Sequence, residues 1–283
     1  MEVTYPEVGS VGVYGLSDIK RAADDFSSRV DPAIDPNDQD AIYAQLAASP
    51  YFELFRQLLE HGVSFQVKVD GHYLPLQLLG ICQDTKTADG KRAGLTFQMR
   101  DIYAYNNTRS TAAGGGAFNY TYMNSTNTNS GGWESSALRG TLRSTFWGYL
   151  PAEVQDAIAP VNKYQQLYGG TTDAYLQKTT GETVWLPSMY EVFGASFSDF
   201  NDSETLSAND YTPFQYMAYH GNVGSSASAK AVKVFDGFAG NWWLRSAFQR
   251  DVGRFCYTSV HGNHDSSGGS AFRTIGAAPC FCL

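Results

Sequence analysis

The 283-residue chain has few cysteines, few basic residues and no long apolar run. Its 20 lysines and arginines against 28 aspartates and glutamates give a net charge of -8, which disfavours general binding to nucleic acid or anionic membranes. No apolar run approaches the roughly 20 residues that span a bilayer, and residues 1–6 have neither the basic nor the apolar region of a signal peptide. We therefore expect no membrane insertion, and a partner that is a protein, a glycan or a small molecule.

The four cysteines do not suggest a disulfide framework. Cys82 stands far from Cys256, Cys280 and Cys282, and no two cysteines have C-x-x-C spacing. Buried free thiols are the simplest interpretation. Cys280 and Cys282 on one strand would nevertheless put both thiols on the same face, as a soft metal ion or a redox pair requires, so a chemical role stays open.

The sequence holds no strong catalytic or metal-binding motif. It has neither a Gly-Lys-Ser/Thr phosphate loop nor a Gly-x-Ser-x-Gly nucleophile elbow. His261, His264 and Asp265 have the composition of metal ligands, but the flanking Ser, Gly and Asn favour a loop, and no further ligand is implied nearby. No acidic cluster typical of a calcium site stands out. We expect no metal, no cofactor and binding that is independent of calcium.

The hydrophobic pattern changes near residue 62. Residues 1–62 carry apolar side chains three to four positions apart, which predicts a small helical module. After Gly62, apolar and polar residues alternate, and Asp70-Gly71 predicts a two-residue hairpin turn. Residues 105–132 are rich in Asn, Ser, Thr and Gly, and the sequence leaves open whether this Asn-rich stretch is ordered.

Three segments between residues 184 and 232 have local signals. Val184-Trp185-Leu186 predicts a short strand. Ser188 and Glu191 have the spacing of a capping box, which predicts a helix ending at Gly194. Residues 195–232 are polar and weakly periodic, and predict a long surface excursion.

The interval of residues 247–274 has an unusual composition. It contains no Lys, Glu, Met or Trp, and it shows no hydrophobic period. Randomising the adenines of AAC codons gives NNC codons, which never encode Lys, Glu, Gln, Met, Trp or a stop. The interval fits that rule except at Gln249. Apolar, strand-like segments flank it, at Trp242-Trp243-Leu244-Arg245-Ser246 and at residues 275–283.

Several motifs together resemble one uncharacterised-domain family, common in phages and prophages of gut bacteria. They lie in order at residues 122–139, 150–151, 161–163, 184–188, 192–194 and 242–246. Phage members of that family end in Trp-Trp-x-Arg-Ser, a diversified stretch, Phe-Cys, a second diversified stretch and Gly-Val-x-Pro-x-Phe-Cys-Val/Leu. Phe255-Cys256 and residues 275–283 occupy the last two fixed places here, with Ala277 for the usual Val and Cys280 for a small residue.

Such proteins resemble the variable proteins of diversity-generating retroelements, whose C-terminal region is rewritten by adenine-directed mutagenic reverse transcription. The resemblance implies an α+β fold, with a C-type-lectin-like domain over residues 63–283 that carries the variable region 247–274. It implies a non-enzymatic ligand-binding protein, of the receptor-binding or surface-recognition kind, on a phage virion or in the cytoplasm before assembly. Residues 1–62 would attach the domain to the particle or form a homo-oligomer, and multivalency would raise a weak single-site affinity.

The expected binding residues lie in the variable region, because aromatic residues and Arg dominate binding hot spots and small polar residues adapt to a ligand. They are Phe248, Arg250, Asp251, Arg254, Tyr257, Ser259, His261, Asn263, His264, Asp265, Phe272 and Arg273. The arginines make this region locally positive on an acidic chain, which steers an acidic target on a cell surface. Arg245 lies inside the fixed signature, and we interpret it as a buried structural ion pair rather than a ligand contact.

Two alternatives remain open from the sequence. Formylglycine-generating oxidases share the C-type-lectin-like fold and use cysteines, so Cys280 and Cys282 would be the reactive residues of a copper-dependent thiol oxidase. A structural virion protein without a specific ligand is the second alternative.

Overall fold

The structure is a computed structural model, and it describes residues 2–3, 15–167, 176–194, 213–221, 228–248, 250–265 and 267–283. Gln249 and most of the expected surface excursion, at residues 195–212 and 222–227, lie outside the described residues. Helices and several small antiparallel sheets are mixed along the chain, which confirms the α+β class.

The helices are short after the first sixty residues, and within the described ranges the strands form five sheets. The helices are α1 (Leu16–Arg29), α2 (Gln39–Leu46), α3 (Phe52–His61), α4 (Ala137–Thr141), α5 (Trp147–Tyr149), α6 (Ala152–Ala157), α7 (Met189–Phe193) and α8 (Gln215–Tyr219). The strands are β1 (Glu2–Val3), β2 (Ser64–Val69), β3 (His72–Ile81), β4 (Thr85–Lys86), β5 (Leu95–Met99), β6 (Ala104–Tyr105), β7 (Thr108–Arg109), β8 (Val161–Gln166), β9 (Leu176–Glu182), β10 (Lys233–Phe235), β11 (Phe238–Gly240), β12 (Trp242–Ala247), β13 (Arg254–Thr258), β14 (Gly269–Ser270) and β15 (Cys280–Cys282). Over the described residues, no helix has both the length and the apolar character to cross a bilayer.

The largest sheet has the strand order β1-β2-β3-β5-β15, with every neighbouring pair antiparallel. The predicted hairpin turn is confirmed, because Val69 pairs with His72 and the two residues between them, Asp70 and Gly71, have φ values of 47° and 84°. The C-terminal strand β15 pairs with β5, so the end of the chain is part of the main sheet.

A line of aromatic rings joins the helical module to this sheet. Phe26 of α1 meets Phe55 of α3 at 5.7 Å between ring centroids, and Phe55 meets Phe65 of β2 at 6.1 Å. Phe97 continues the line at 5.2 Å from Phe65, and Phe281 lies 6.0 Å from Phe97. Helices and sheet therefore share one hydrophobic core, and the domain boundary at residue 62 stays a prediction.

The segment after the β8-β9 hairpin agrees with the sequence in one element and differs in another. Ser188 and Glu191 form the predicted capping box, and Gly194 ends α7 with a φ of 66°. The predicted strand around Trp185 is wrong, since Trp185 makes only an isolated bridge to Cys280. The backbone bonds between Trp185 and Cys280 of β15 fix the position of the indole, and the chain then continues to the start of α7.

Helix α8 also differs from expectation, because its first three residues are buried although it lies inside the predicted surface excursion. The side-chain amide of Gln215 donates to the carbonyl oxygen of Ile81 at 2.9 Å and accepts from the Ile81 N–H at 2.8 Å. Gln215 thus bonds the backbone of β3 as a neighbouring strand would. A polar residue that imitates a strand in this way leaves no hydrophobic period in the sequence.

Candidate binding surface

Strand β12 carries the Trp-Trp-Leu-Arg-Ser signature and is buried along its whole length. The indole N–H of Trp242 donates to the carbonyl oxygen of Ala231 at 2.9 Å, and that of Trp243 to the carbonyl oxygen of Thr121 at 2.8 Å. Because a buried indole N–H without an acceptor costs free energy, these bonds fix both rings in place. The two tryptophans are therefore part of the core, as the sequence indicated.

Arg245, in the same signature, makes a buried ion pair. Its side chain is 1% exposed, and its guanidinium pairs with the carboxylate of Glu191. It also donates to the carbonyl oxygens of Tyr164 and Leu186, each at 2.9 Å. The structural interpretation of Arg245 is confirmed, since all these partners belong to the protein itself.

Glu191 is shared between two cations. The ammonium group of Lys163 lies 2.9 Å from the Glu191 carboxylate and also pairs with Asp84. Burial favours a raised pKa for Glu191, but the charges of Arg245 and Lys163 outweigh it and hold that pKa well below its usual range. Burial likewise opposes the charge of Lys163, and the two carboxylates outweigh it and raise its pKa. The network is a neutral set of two cations and two anions.

The Asn-rich stretch is ordered and holds the variable region through hydrogen bonds to its backbone. The side-chain amide of Asn129 donates to the carbonyl oxygens of Phe248, Asp251 and Arg254 at 3.1, 3.0 and 2.8 Å. The backbone N–H of Asn129 donates to the carbonyl oxygen of Val252 at 2.6 Å. All four acceptors are backbone atoms, so these bonds do not depend on which side chains the variable region carries.

Two further contacts tie the same stretch to the end of the variable region. The backbone N–H of Asn124 donates to the carbonyl oxygen of Ala271 at 2.9 Å. The hydroxyl of Ser270 donates to the side-chain oxygen of Asn127 at 2.6 Å. The sequence left open whether residues 105–132 are ordered, and these hydrogen bonds show that they are. We call this Asn-rich stretch the platform.

Two of the expected binding residues are buried. Phe248 is 4% exposed and packs on Gly268, where an added Cβ would lie 2.8 Å from the Phe248 ring. Tyr257 is 7% exposed, lies edge-on to Trp243 at 6.1 Å, and donates its hydroxyl to the carboxylate of Asp265. Both aromatic side chains pack into the interior of the described structure, so we interpret them as supports of the surface.

The other expected binding residues reach the surface to different degrees. The exposed ones are Arg250, His261, Asn263, Phe272 and Arg273, and the partly exposed ones are Asp251, Arg254, Ser259, His264 and Asp265. Phe272 is 55% exposed, which is unusual for an aromatic side chain of this size. Val252 is 53% exposed and was missed, although an apolar residue between Asp251 and Gly253 in a polar turn is a readable signal.

The exposed residues other than Arg273 divide into two patches at opposite ends of β13. The first patch combines residues 250–254 with residues 267–272, because Arg254 pairs with Ser270 across the sheet and donates to the carbonyl oxygen of Ser267 at 2.8 Å. The second patch is the turn of residues 259–264. Since β13 has five residues, the two patches are about 14 Å apart along the strand.

The charge of the surface comes mainly from two arginines. Arg254 is paired with Asp251 at 3.0 Å, which offsets its charge in part. Within the part of the chain that the structure describes, neither Arg250 nor Arg273 forms a direct ion pair, but Arg273 lies near Asp265 and its charge helps to lower the pKa of that carboxyl. The carboxylate of Asp265, partly buried, accepts from Ser267 and Tyr257, and these bonds outweigh burial and lower its pKa. The surface therefore presents cations and an exposed phenyl ring.

The cysteines and histidines form no obvious reactive site. All four cysteines are free and buried, which confirms the interpretation of buried free thiols. Burial raises the pKa of Cys82 to about 12 and the pKa values of Cys280 and Cys282 well above their usual range. No cluster of three or more His, Cys, Asp or Glu side chains that would hold a metal ion occurs among the residues described.

Comparison with known proteins identifies the family without naming a function. No curated protein matches the chain, and neither does any solved structure. One family model matches residues 95–283, from β5 to the C-terminal strand, and it includes the platform, the whole variable region and the buried network except Asp84. The chain therefore belongs to the family described as Domain of unknown function (DUF6273).

Proposed function

We propose that the protein is a non-enzymatic ligand-binding protein whose variable region, residues 247–274, is diversified by a retroelement. In this proposal the domain is C-type-lectin-like, and the protein is a phage or prophage receptor-binding or surface-recognition protein. The sequence motifs that resemble the variable proteins support the fold and the class. The partner is a protein or glycan on a target cell surface.

The observation that carries the proposal is the way in which the platform holds the variable region. Asn129 bonds four backbone groups between residues 248 and 254, and Asn124 bonds the backbone of Ala271. A scaffold that bonds backbone atoms tolerates new side chains at the exposed positions without losing its own stability. Such tolerance is what a diversified recognition surface requires.

The exposed chemistry favours an acidic or polar target. Arg250 and Arg273 are exposed and form no direct ion pair among the described residues, and Phe272 supplies an exposed apolar anchor. Arginine and aromatic side chains are the usual hot spots of interfaces. On a chain with a net charge of -8, a local positive surface steers an acidic partner toward the variable region.

The DNA beside the gene tests diversification directly. We expect a near-repeat of the 3′ end of the gene that differs only at adenines, together with a gene for a reverse transcriptase. We also expect substitutions in related populations to fall on adenine-derived codons of residues 247–274. Substitutions spread uniformly along the gene, with no repeat, would favour the structural virion protein instead.

A protein experiment tests the scaffold half of the proposal. We would randomise Arg250, Val252, His261, Phe272 and Arg273 together in one library. Most members should have a melting temperature within a few degrees of that of the parent protein. A matched library at Trp242, Trp243 and Asn129 should contain few folded members. Equal losses in both libraries would refute the separation of scaffold and recognition surface.

A further inference from the structure

A cavity of about 270 Å³ lies outside the variable region, between the main sheet, α8 and the segment that leads into β10. Its lining residues are Gly62, Gln77, Leu79, Gln98, Arg100, Tyr216, Met217, Ala229, Lys230, Val232 and Lys233. Three of these side chains are cationic and none is acidic. This cationic cavity is unexpected on an acidic protein.

Two glutamines from neighbouring strands form the base of the cavity. Gln77 of β3 pairs directly with Gln98 of β5, so the two side chains lie on the same face of the sheet. Gln98 is fully buried, and its amide nitrogen donates to the carbonyl oxygen of Ala278 at 3.1 Å. Its side-chain oxygen accepts no hydrogen bond from any described residue. A buried acceptor left in this state favours a ligand that donates to it.

Lys233 supplies a buried positive charge on the wall. Its side chain is 5% exposed, and its ammonium donates to the carbonyl oxygens of Met99 and Arg100 at 2.8 and 3.0 Å. Two of its three N–H groups are thereby used, and the ammonium also lies 5.2 Å from the centroid of the Trp242 ring. The third N–H makes no hydrogen bond to a described residue and is the one proposed to meet a ligand. Within the described ranges Lys233 pairs with no carboxylate. Burial, only partly offset by Cys280 and Asp101, lowers the pKa of Lys233 to about 8.

The charge and size of the cavity define the ligand that would fit. One buried cation balances one negative charge, whereas Arg100 and Lys230 are exposed and their charges are screened by water. A cavity of 270 Å³ is slightly smaller than a site for a drug-sized molecule. The occupant should therefore be a small monoanion that also carries a hydrogen-bond donor.

We propose that this cavity binds a small hydroxylated carboxylic acid, whose carboxylate accepts from Lys233 and whose hydroxyl donates to the side-chain oxygen of Gln98. The site lies outside residues 247–274 and does not depend on retroelement diversification. A protein that recognises a variable partner at one surface would thus hold a small acid at a fixed second site.

Calorimetric titration of the full-length protein with a graded set of acids tests the proposal. The probes are acetate, lactate, gluconate and glucuronate, with glucose as the neutral analogue of glucuronate and inorganic phosphate as a second anion. We expect saturable binding of at least one hydroxylated acid and none of glucose. If none of the four acids binds at a concentration on the order of 10 mM, which detects even a weak ligand, the proposal is overturned. Binding of glucose as strong as that of glucuronate overturns it as well.

Matched variants locate the binding. Lys233→Met should weaken the affinity for the bound acid at least tenfold, the usual effect of losing a hydrogen bond to a charged group. Gln98→Leu should weaken it about two- to tenfold, because the bond to the ligand hydroxyl joins two neutral groups. Lys68→Met, on the exposed edge of β2, should leave it unchanged. If Lys233→Met does not fold, Gln98→Leu decides alone. Unchanged affinity in Gln98→Leu, or phosphate bound in place of every acid, contradicts the assignment.

Discussion

The side-chain amide of Asn129 lies 2.8 Å from the carbonyl oxygen of Arg254, at the point where the platform meets the start of β13. The same amide reaches the carbonyl oxygens of Phe248 and Asp251, so one buried side chain closes the turn that precedes the strand. The position of the first patch therefore depends on a residue more than a hundred positions away in the sequence.

Replacing Asn129 with alanine should destabilise the fold. The substitution removes the side-chain hydrogen bonds to the carbonyl oxygens of Phe248, Asp251 and Arg254, so we expect the free energy of unfolding to fall by about 2 to 3 kcal/mol. Urea denaturation of Asn129→Ala and the wild type measures the change. Asn119→Ala is the matched control, because Asn119 is exposed and makes one bond to Thr145. Equal effects in both variants would mean that Asn129 does not organise the turn.

The two phenylalanines of the variable region should differ in their tolerance to truncation. Phe248→Ala removes a buried ring and should lower the free energy of unfolding by about 3 to 5 kcal/mol. Phe272→Ala removes an exposed ring and should change it by less than about 0.5 kcal/mol. Thermal denaturation of both variants tests the difference. A large loss in Phe272→Ala would place that ring in the core and remove it from the proposed surface.

The sequence predicted the elements whose signals are local. Gly62 ends α3 with a φ of 65°, the Asp70-Gly71 turn follows, and the capping box of Ser188 and Glu191 starts α7. Each of these features depends on a few neighbouring residues and on backbone geometry that only certain residues adopt. The sequence also distinguished the buried flanking segments, residues 242–246 and 275–283, from the variable region between them.

The sequence did not indicate how distant residues combine. Nothing local shows that Asn129 supports the turn at Arg254, or that the buried Phe248 belongs beneath the surface. The cavity beside Lys233 is lined by β3, β5, α8 and the segment that leads into β10, which are far apart in the sequence, so no motif marks it. Such features depend on pairings between residues far apart in the chain, which hydrophobic periodicity does not encode.

Neutralising Glu191 should be strongly destabilising. Glu191→Gln leaves Arg245 and Lys163 buried with only Asp84 as a carboxylate partner, and we expect a loss of about 3 to 5 kcal/mol. Glu153→Gln, at an exposed position of α6, should change the free energy of unfolding by less than about 0.5 kcal/mol.

The same carboxylate gives a dependence on pH. Because the pKa of Glu191 is lower in the folded state, its contribution is fully present above its unfolded pKa and is lost as the pH falls through the folded value. The stability difference between the wild type and Glu191→Gln should therefore shrink as the pH falls below the ordinary glutamate range. A difference that stays constant with pH would show that Glu191 is not charged in the folded protein.

The cysteines should not react in the folded protein. Burial keeps the thiols protonated, so a disulfide reagent should label none of the four under native conditions and all four in guanidinium. Ser125→Cys, at an exposed position of the platform, is the positive control. Rapid native labelling, or stoichiometric Cu(I) binding that Cys282→Ser abolishes, would favour the copper-dependent thiol oxidase.

Lys233 should make stability rise with pH in the alkaline range. Its folded pKa is about 8 and its ordinary value is 10.5, so between these values the unfolded chain binds more protons than the folded protein. The free energy of unfolding of the wild type should therefore increase, relative to Lys233→Met, by about 2 kcal/mol between pH 7.5 and pH 9.5. Taking the difference between the two proteins cancels the ionisation of the buried thiols, which acts in the opposite direction. The control Lys68→Met, at an exposed position of β2, should show the same increase in the free energy of unfolding as the wild type. If the free energy of unfolding of Lys233→Met changes with pH in parallel with that of the wild type, the ammonium of Lys233 is hydrated and not buried.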